Sequence, residues 1–114
     1  MVVAGDERAA TTDQEVEIGA AVGLRQDEAL PTFMRGFVYL PYEHAEGLAM
    51  QDEAIRLLTR LAAADPAQQS MLDYAYKHRA VIERFGRFPH RNAILGRRST
   101  AEEIEFLRRP GSGF

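Results

Sequence analysis

Apolar residues recur at helical spacing along five stretches of the chain, and no stretch shows the alternation typical of a strand. The clearest stripe lies in residues 67–85, at positions i, i+3, i+4, i+7, i+10, i+11 and i+14: Met71, Tyr74, Ala75, His78, Val81, Ile82 and Phe85. The same spacing predicts helices at residues 13–24, 31–40, 46–64 and 100–109. Five helices with short connections predict an all-α domain of antiparallel helix pairs.

Proline, glycine and capping residues indicate where these helices begin and end. Pro41 ends or kinks the second helix, and the pair Asp65-Pro66 breaks the third. Gly86 follows the fourth helix, where glycine readily adopts the left-handed conformation of a helix end. Thr100 and Glu103 have the spacing of a capping box, which predicts the start of the last helix.

The pattern also predicts which side chains face inward. In the third helix the inward positions are Leu48, Ile55, Leu58 and Leu61, whereas Gln51 belongs to the outward face. The first helix has a weaker apolar face, formed by Val16, Ala20 and Leu24 and interrupted by Gly19 and Gly23. In the second helix Phe33, Phe37 and Leu40 share one face.

Length and composition predict one folded domain, residues 13–114, behind a flexible leader of residues 1–12. The chain has 114 residues, 46% of them hydrophobic, and no cysteine, which excludes disulfides and thiolate chemistry. The start lacks a signal-peptide pattern and no stretch could span a bilayer, so a cytoplasmic location is expected. The pI near 5.6 and the single lysine do not favour nucleic acid binding.

Residues 77–96, KHRAVIERFGRFPHRNAILG, are the densest polar stretch of the chain. Arg84, Arg87 and Arg91 flank the apolar turn residues Phe85 and Phe88, which are expected to hold the arginines rigidly. Guanidinium groups suit carboxylates and phosphates, so an anion site is one interpretation. An internal network of salt bridges is the other.

Three histidines provide a second candidate chemistry. His44, His78 and His90, with Glu43 or Glu46 nearby, could bind a metal ion through nitrogen and oxygen ligands. No pair of histidines has the spacing that places two ligands on one helical face, so neither a metal nor a cofactor is predicted. His78 lies on the apolar stripe, where a bond to a backbone carbonyl is the commoner role. Ser99 and Thr100 are better explained as helix caps, and Ser70 and Ser112 have no local base, so no catalytic residue is predicted.

The strings RFGRFPHRNAILGRRSTAEEIEFL, PYEHAE and PGSGF resemble the bacterial family known as domain of unknown function 924. The resemblance extends from about Asp13 to Phe114 and implies a tetratricopeptide-like helical fold without an established activity. Family members usually have an additional N-terminal helical half, so this chain resembles their C-terminal part behind an unrelated leader. They also usually have serine where Ala45 stands here.

Three functional hypotheses follow. The leading one is a binding module for an anionic ligand or an acidic peptide at Arg84, Arg87, His90 and Arg91. The second is a hydrolase-like or metal-dependent enzyme that uses His44, Glu46, His78 and His90. The third is a structural scaffold with paired arginines. Because a shortened helical stack exposes an apolar face, a homodimer through Phe33, Phe37 and Leu40 is also expected.

Overall fold

The structure is a computed structural model that describes residues 13–23 and 25–113, and within these residues every regular element is helical. The α-helices are α1 (Asp13–Gly23), α2 (Thr32–Val38), α3 (Leu40–Glu43), α4 (Leu48–Ala64), α5 (Gln69–Phe85) and α6 (Ala101–Leu107). Three 3-10 turns lie at Asp27–Ala29, Pro66–Gln68 and Pro89–Arg91. The all-α prediction is confirmed, whereas the tetratricopeptide-like arrangement stays a prediction. The predicted leader and Leu24 lie outside the described residues.

Helices α4 and α5 form the central pair, and both are long because each has an uninterrupted apolar face. The turn at Pro66–Gln68 joins them, and the Asp65 carboxylate accepts the Ala67 N–H at 3.1 Å to start that turn. Arg79 in α5 reaches Asp52, near the beginning of α4, at 2.6 Å. Since residues late in α5 lie beside residues early in α4, the two helices run antiparallel.

The buried side chains form two apolar clusters. The larger one joins α1, α3, α4 and α5 around Leu57, Leu58 and Leu61, which are each 1% exposed. The smaller one consists of Val81, Ile82 and Phe88, with Phe85 and Phe106 packed against it. The second cluster matters for the site, because it fixes the turn after α5.

Four sequence-based placements are wrong. Tyr74 is 55% exposed, and Leu72 takes the buried position on α5 instead. Leu48 is 41% exposed, whereas Gln51 is fully buried because its side-chain amide donates to the Glu43 and Ala45 carbonyls at the end of α3. In α1 the apolar side chain described as buried is Ile18, and Ala20 is exposed.

Helix α2 ends at Val38 and Pro41 lies in the first turn of α3, so the chain bends where proline predicts it. Phe33 and Phe37 are each 63% exposed on α2. Beside them lies a recess of about 410 Å³ lined by Glu17, Ile18, Ala21, Phe37, Val38 and Pro41. No helix in the described part of the chain is long and apolar enough to cross a membrane.

Candidate functional site

The predicted site forms around Phe88, a fully buried ring in the turn after α5. Gly86 ends α5 in the left-handed conformation, with φ +73°, and so turns the chain back toward α3. Phe88 then lies 5.6 Å from the ring of His78 and 5.9 Å from the ring of His90. His44, which follows α3, lies 5.6 Å from His78. The three histidines, far apart in sequence, therefore converge on one corner of the molecule.

Arg91 lies at the same corner and is the cation with the clearest capacity to bind something. Its guanidinium carbon is 4.6 Å from the centre of the Phe88 ring, a cation–π contact that fixes its orientation. Among the residues that the structure describes, no side chain or carbonyl accepts a hydrogen bond from this guanidinium, and no carboxylate pairs with it within 4.0 Å. Burial lowers the pKa of Arg91, since a charged group loses hydration there.

Burial and the positive charge of Arg91 lower the pKa values of the three histidines. Burial lowers the pKa of His44 and His78, and the nearby Arg91 lowers both further. The pKa of His90 is lowered by burial and then by Arg91. All three imidazoles therefore favour the neutral form near neutral pH, in which a ring nitrogen can donate or accept a hydrogen bond.

Beneath the histidines lies a buried carboxyl group, Glu43, which is 3% exposed. Its Oε1 is 3.2 Å from Nδ1 of His78, and the same nitrogen contacts the Tyr74 carbonyl oxygen at 2.7 Å. The backbone contact predicted for His78 is thus present. Burial raises the pKa of Glu43 to about 7, because the carboxylate is poorly solvated. Because a carbonyl only accepts, Nδ1 of His78 carries a hydrogen, and the Glu43 carboxyl faces that same N–H.

Glu46 has a structural role. Its carboxylate accepts hydrogen bonds from Arg97 at 2.8 and 3.0 Å and from the Phe88 N–H at 2.7 Å. Burial opposes ionisation of Glu46, but these hydrogen bonds outweigh it, and the pKa lies below its usual range. Glu46 therefore stays ionised and holds the turn in place, a poor arrangement for a general base.

Arg84 and Arg87 are not brought to the three histidines. Arg87 binds the Glu103 carboxylate through two nitrogens at 2.9 and 2.7 Å and also donates to the Arg98 carbonyl at 2.8 Å. Arg84 lies outside, 45% exposed over the Phe85 ring, with Glu102 at 3.8 Å. The predicted arginine group is thus divided: Arg87 is internally paired, Arg84 is on the surface, and Arg91 remains at the site.

A family comparison agrees with the resemblance carried by these motifs. The family described as "Bacterial protein of unknown function (DUF924)" matches residues 4–111. The chain belongs to this family. This match begins nearer the N-terminus than the resemblance, which extends from about Asp13. No curated protein matches the chain.

A solved structure resembles this DUF924 chain, a protein of unknown function, ATU0120, from Agrobacterium tumefaciens. The two are 41% identical with a TM-score of 0.69, over 79% of the DUF924 chain and 48% of the other. The DUF924 chain therefore spans about half the length of the structure that it matches.

Glu43 is a residue of the DUF924 site that the sequence indicated only weakly, as an alternative to Glu46 beside the histidines. It lies four residues after Tyr39, which is 2% exposed, and so shares the inward face of a helical turn. That spacing was the available signal. Within residues 13–23 and 25–113, no group of three histidine, aspartate or glutamate side chains is placed to hold a metal ion.

Proposed function

We propose that this chain is a binding module for an anionic group, a carboxylate or a phosphate, which Arg91 holds together with His90 and His44. The observation that carries the proposal is the state of Arg91. Its guanidinium is oriented by Phe88 and half-buried, yet it makes no ion pair within the described part of the chain. Other arginines of the same stretch have acidic partners: Arg79 pairs with Asp52, Arg87 with Glu103 and Arg97 with Glu46.

A half-buried guanidinium without a counter-ion carries a desolvation cost, which an oxyanion would offset through charge-assisted hydrogen bonds. Two of the three histidines add to this capacity. His44 is exposed and His90 is partly exposed, so both rings can reach a ligand at the surface. A bound anion would also favour protonation of these imidazoles, because a nearby negative charge stabilises the imidazolium form.

Thermal unfolding with added anions tests the proposal. Phosphate and citrate are expected to raise the Tm in a concentration-dependent way, since a ligand that binds only the folded state stabilises it by about 2.7 kcal/mol at a hundred times its Kd. Arg91→Gln is expected to abolish this shift while the circular dichroism spectrum stays helical. An acidic peptide in parallel shows whether the anionic group must belong to a polypeptide.

Arg84→Gln is the matched control. Arg84 also lies over a phenylalanine ring, at 4.6 Å, but it is outside the histidine corner. The Arg84 variant should keep the full response to anions. Equal responses of the two variants, or no response of the unmodified chain to any anion, would overturn the proposal.

One observation favours a second candidate, an acid–base enzyme of hydrolase type. Glu43 is a buried carboxyl with a pKa of about 7, and it lies 3.2 Å from a histidine nitrogen. General acid–base catalysis needs a group that titrates near the working pH. A screen of ester and phosphoester substrates, with Glu43→Gln as the control, tests this candidate: turnover that survives the substitution would exclude Glu43 as the base.

A further inference from the structure

A short helical turn next to Arg91 presents two apolar side chains to solvent. Ile94 is 89% exposed and Leu95 is 57% exposed, which places Ile94 first among the large apolar residues described. The Leu95 N–H donates to the Arg91 carbonyl at 3.0 Å, so residues 91–95 form one helical turn. Arg91 and Leu95, four residues apart, therefore lie on the same side of it.

This turn is firmly held, although its tip is exposed. The Arg97 N–H donates to the Asn92 carbonyl at 2.8 Å and the Gly96 N–H to the Ala93 carbonyl at 3.3 Å, and Gly96 has φ +68°. These bonds form a Schellman motif, a stable helix end. Asn92 is 1% exposed, and its side chain bonds to Ser99 and to Arg97. The hydrogen bonds therefore fix the turn in a conformation that exposes the side chains of Ile94 and Leu95 to solvent.

Among the described residues, the charged side chains next to the turn that form no ion pair are positive. Residues 77–98 contain seven lysines and arginines against Glu83 alone. Glu46, which lies between α3 and α4 and reaches the turn, is already bound to Arg97. Arg91 and the exposed Arg98, which precede and follow the apolar tip in the chain, have no acidic partner among the residues described. A partner complementary to this surface is acidic and carries an apolar side chain.

We propose that the ligand of the anion site is an acidic peptide segment, with carboxylates that face Arg91 and Arg98 and an apolar side chain that packs on Ile94 and Leu95. This inference rests on the proposed function and specifies its ligand. A free phosphate or carboxylate would gain nothing from the apolar tip, whereas a peptide can contact both kinds of group at once.

The test uses two labelled peptides and fluorescence anisotropy. One peptide is rich in glutamate and contains two leucines, and in the other peptide alanine replaces both leucines. The leucine peptide is expected to bind about tenfold more tightly, the preference expected when about one leucine side chain leaves water. The double variant Ile94→Asn, Leu95→Asn should lose this preference and keep the weaker binding of the alanine peptide. Arg91→Gln should weaken both peptides alike.

Ile104→Asn is the control, because Ile104 is a 47% exposed apolar residue on α6 and lies outside the turn. It should leave the preference unchanged. Equal binding of the two peptides to the unmodified chain would overturn this inference and leave the anion site standing. Binding of neither peptide, phosphate nor citrate would overturn both. If the unmodified chain self-associates and the double variant does not, the apolar tip binds a second copy of the chain. That result would also overturn the proposal of a peptide ligand.

Discussion

Replacement of Glu103 by glutamine should destabilise the protein strongly, because it removes one charge from a buried ion pair. The Glu103 carboxylate is 2% exposed and binds Arg87 through two nitrogens. It also accepts the Thr100 N–H at 2.8 Å as part of the capping box. Glutamine can keep the capping contact, since glutamine is also common at this position of the motif. The substitution therefore isolates the ion pair.

The pKa of Glu103 gives the size of the effect. Hydrogen bonds from Arg87, acting against burial, lower this pKa from 4.5 to about 2. One pKa unit corresponds to 1.36 kcal/mol, so the carboxylate stabilises the folded state by roughly 3 kcal/mol at neutral pH. Arg87 is 26% exposed, and screening by water reduces the expected loss to about 2 kcal/mol. Since the pKa is lowered on folding, this stabilisation is complete above pH 4.5 and disappears as the pH falls toward 2.

Urea unfolding at pH 7 and at pH 3 measures both consequences. Glu103→Gln should lower the free energy of unfolding by about 2 kcal/mol at pH 7 and by less at pH 3. Glu102→Gln is the control, because Glu102 is 77% exposed and 3.8 Å from Arg84, and pairs of that kind contribute about 0 to 1 kcal/mol. Equal losses for the two variants at pH 7 would refute the reasoning.

Three further predictions concern other parts of the molecule. Glu43→Gln should stabilise the protein by about 1 to 2 kcal/mol at pH 8 and by less at pH 5. The reason is that ionisation of the buried carboxyl destabilises the folded state more and more as the pH rises from 4.5 to about 7. A Tm at pH 8 below that of the unmodified chain would contradict this prediction. Gly36→Ala should change the free energy of unfolding by less than about 1 kcal/mol, because the new Cβ would lie 2.3 Å from the Met71 sulfur, at the end of a flexible side chain that can move aside, and alanine favours the helix. Gly23→Ala, with open space around it, should be neutral or stabilising in chemical unfolding. The homodimer stays a prediction: Phe33→Ser should shift sedimentation at micromolar concentration from dimer to monomer, and a monomeric unmodified chain would refute it.

The sequence determined the helices other than α3, because the signals that define them are local. Apolar spacing located α4 and α5, and Thr100 with Glu103 located the start of α6 through bonds within one helical turn. The string FGRFPHRN pointed to the family, and the family match confirmed it. These features depend on residues at most a few positions apart, and a pattern along the chain records such relations directly.

Only the tertiary structure decided which charged and polar side chains already have a partner within the protein. Glu46 and Arg97 pair across 51 residues and Arg87 and Glu103 across 16, separations that leave no periodic signal in the chain. The same holds for Gln51, which belongs to an outward position by spacing but is buried because the end of α3 lies against it. A charge in the sequence is available to a ligand only if folding gives it no partner, and that depends on what packs beside it. For this reason the sequence alone could not rank the arginines of residues 77–98 as ligand-binding candidates. The fold distinguished Arg91 from the arginines that already pair with a carboxylate.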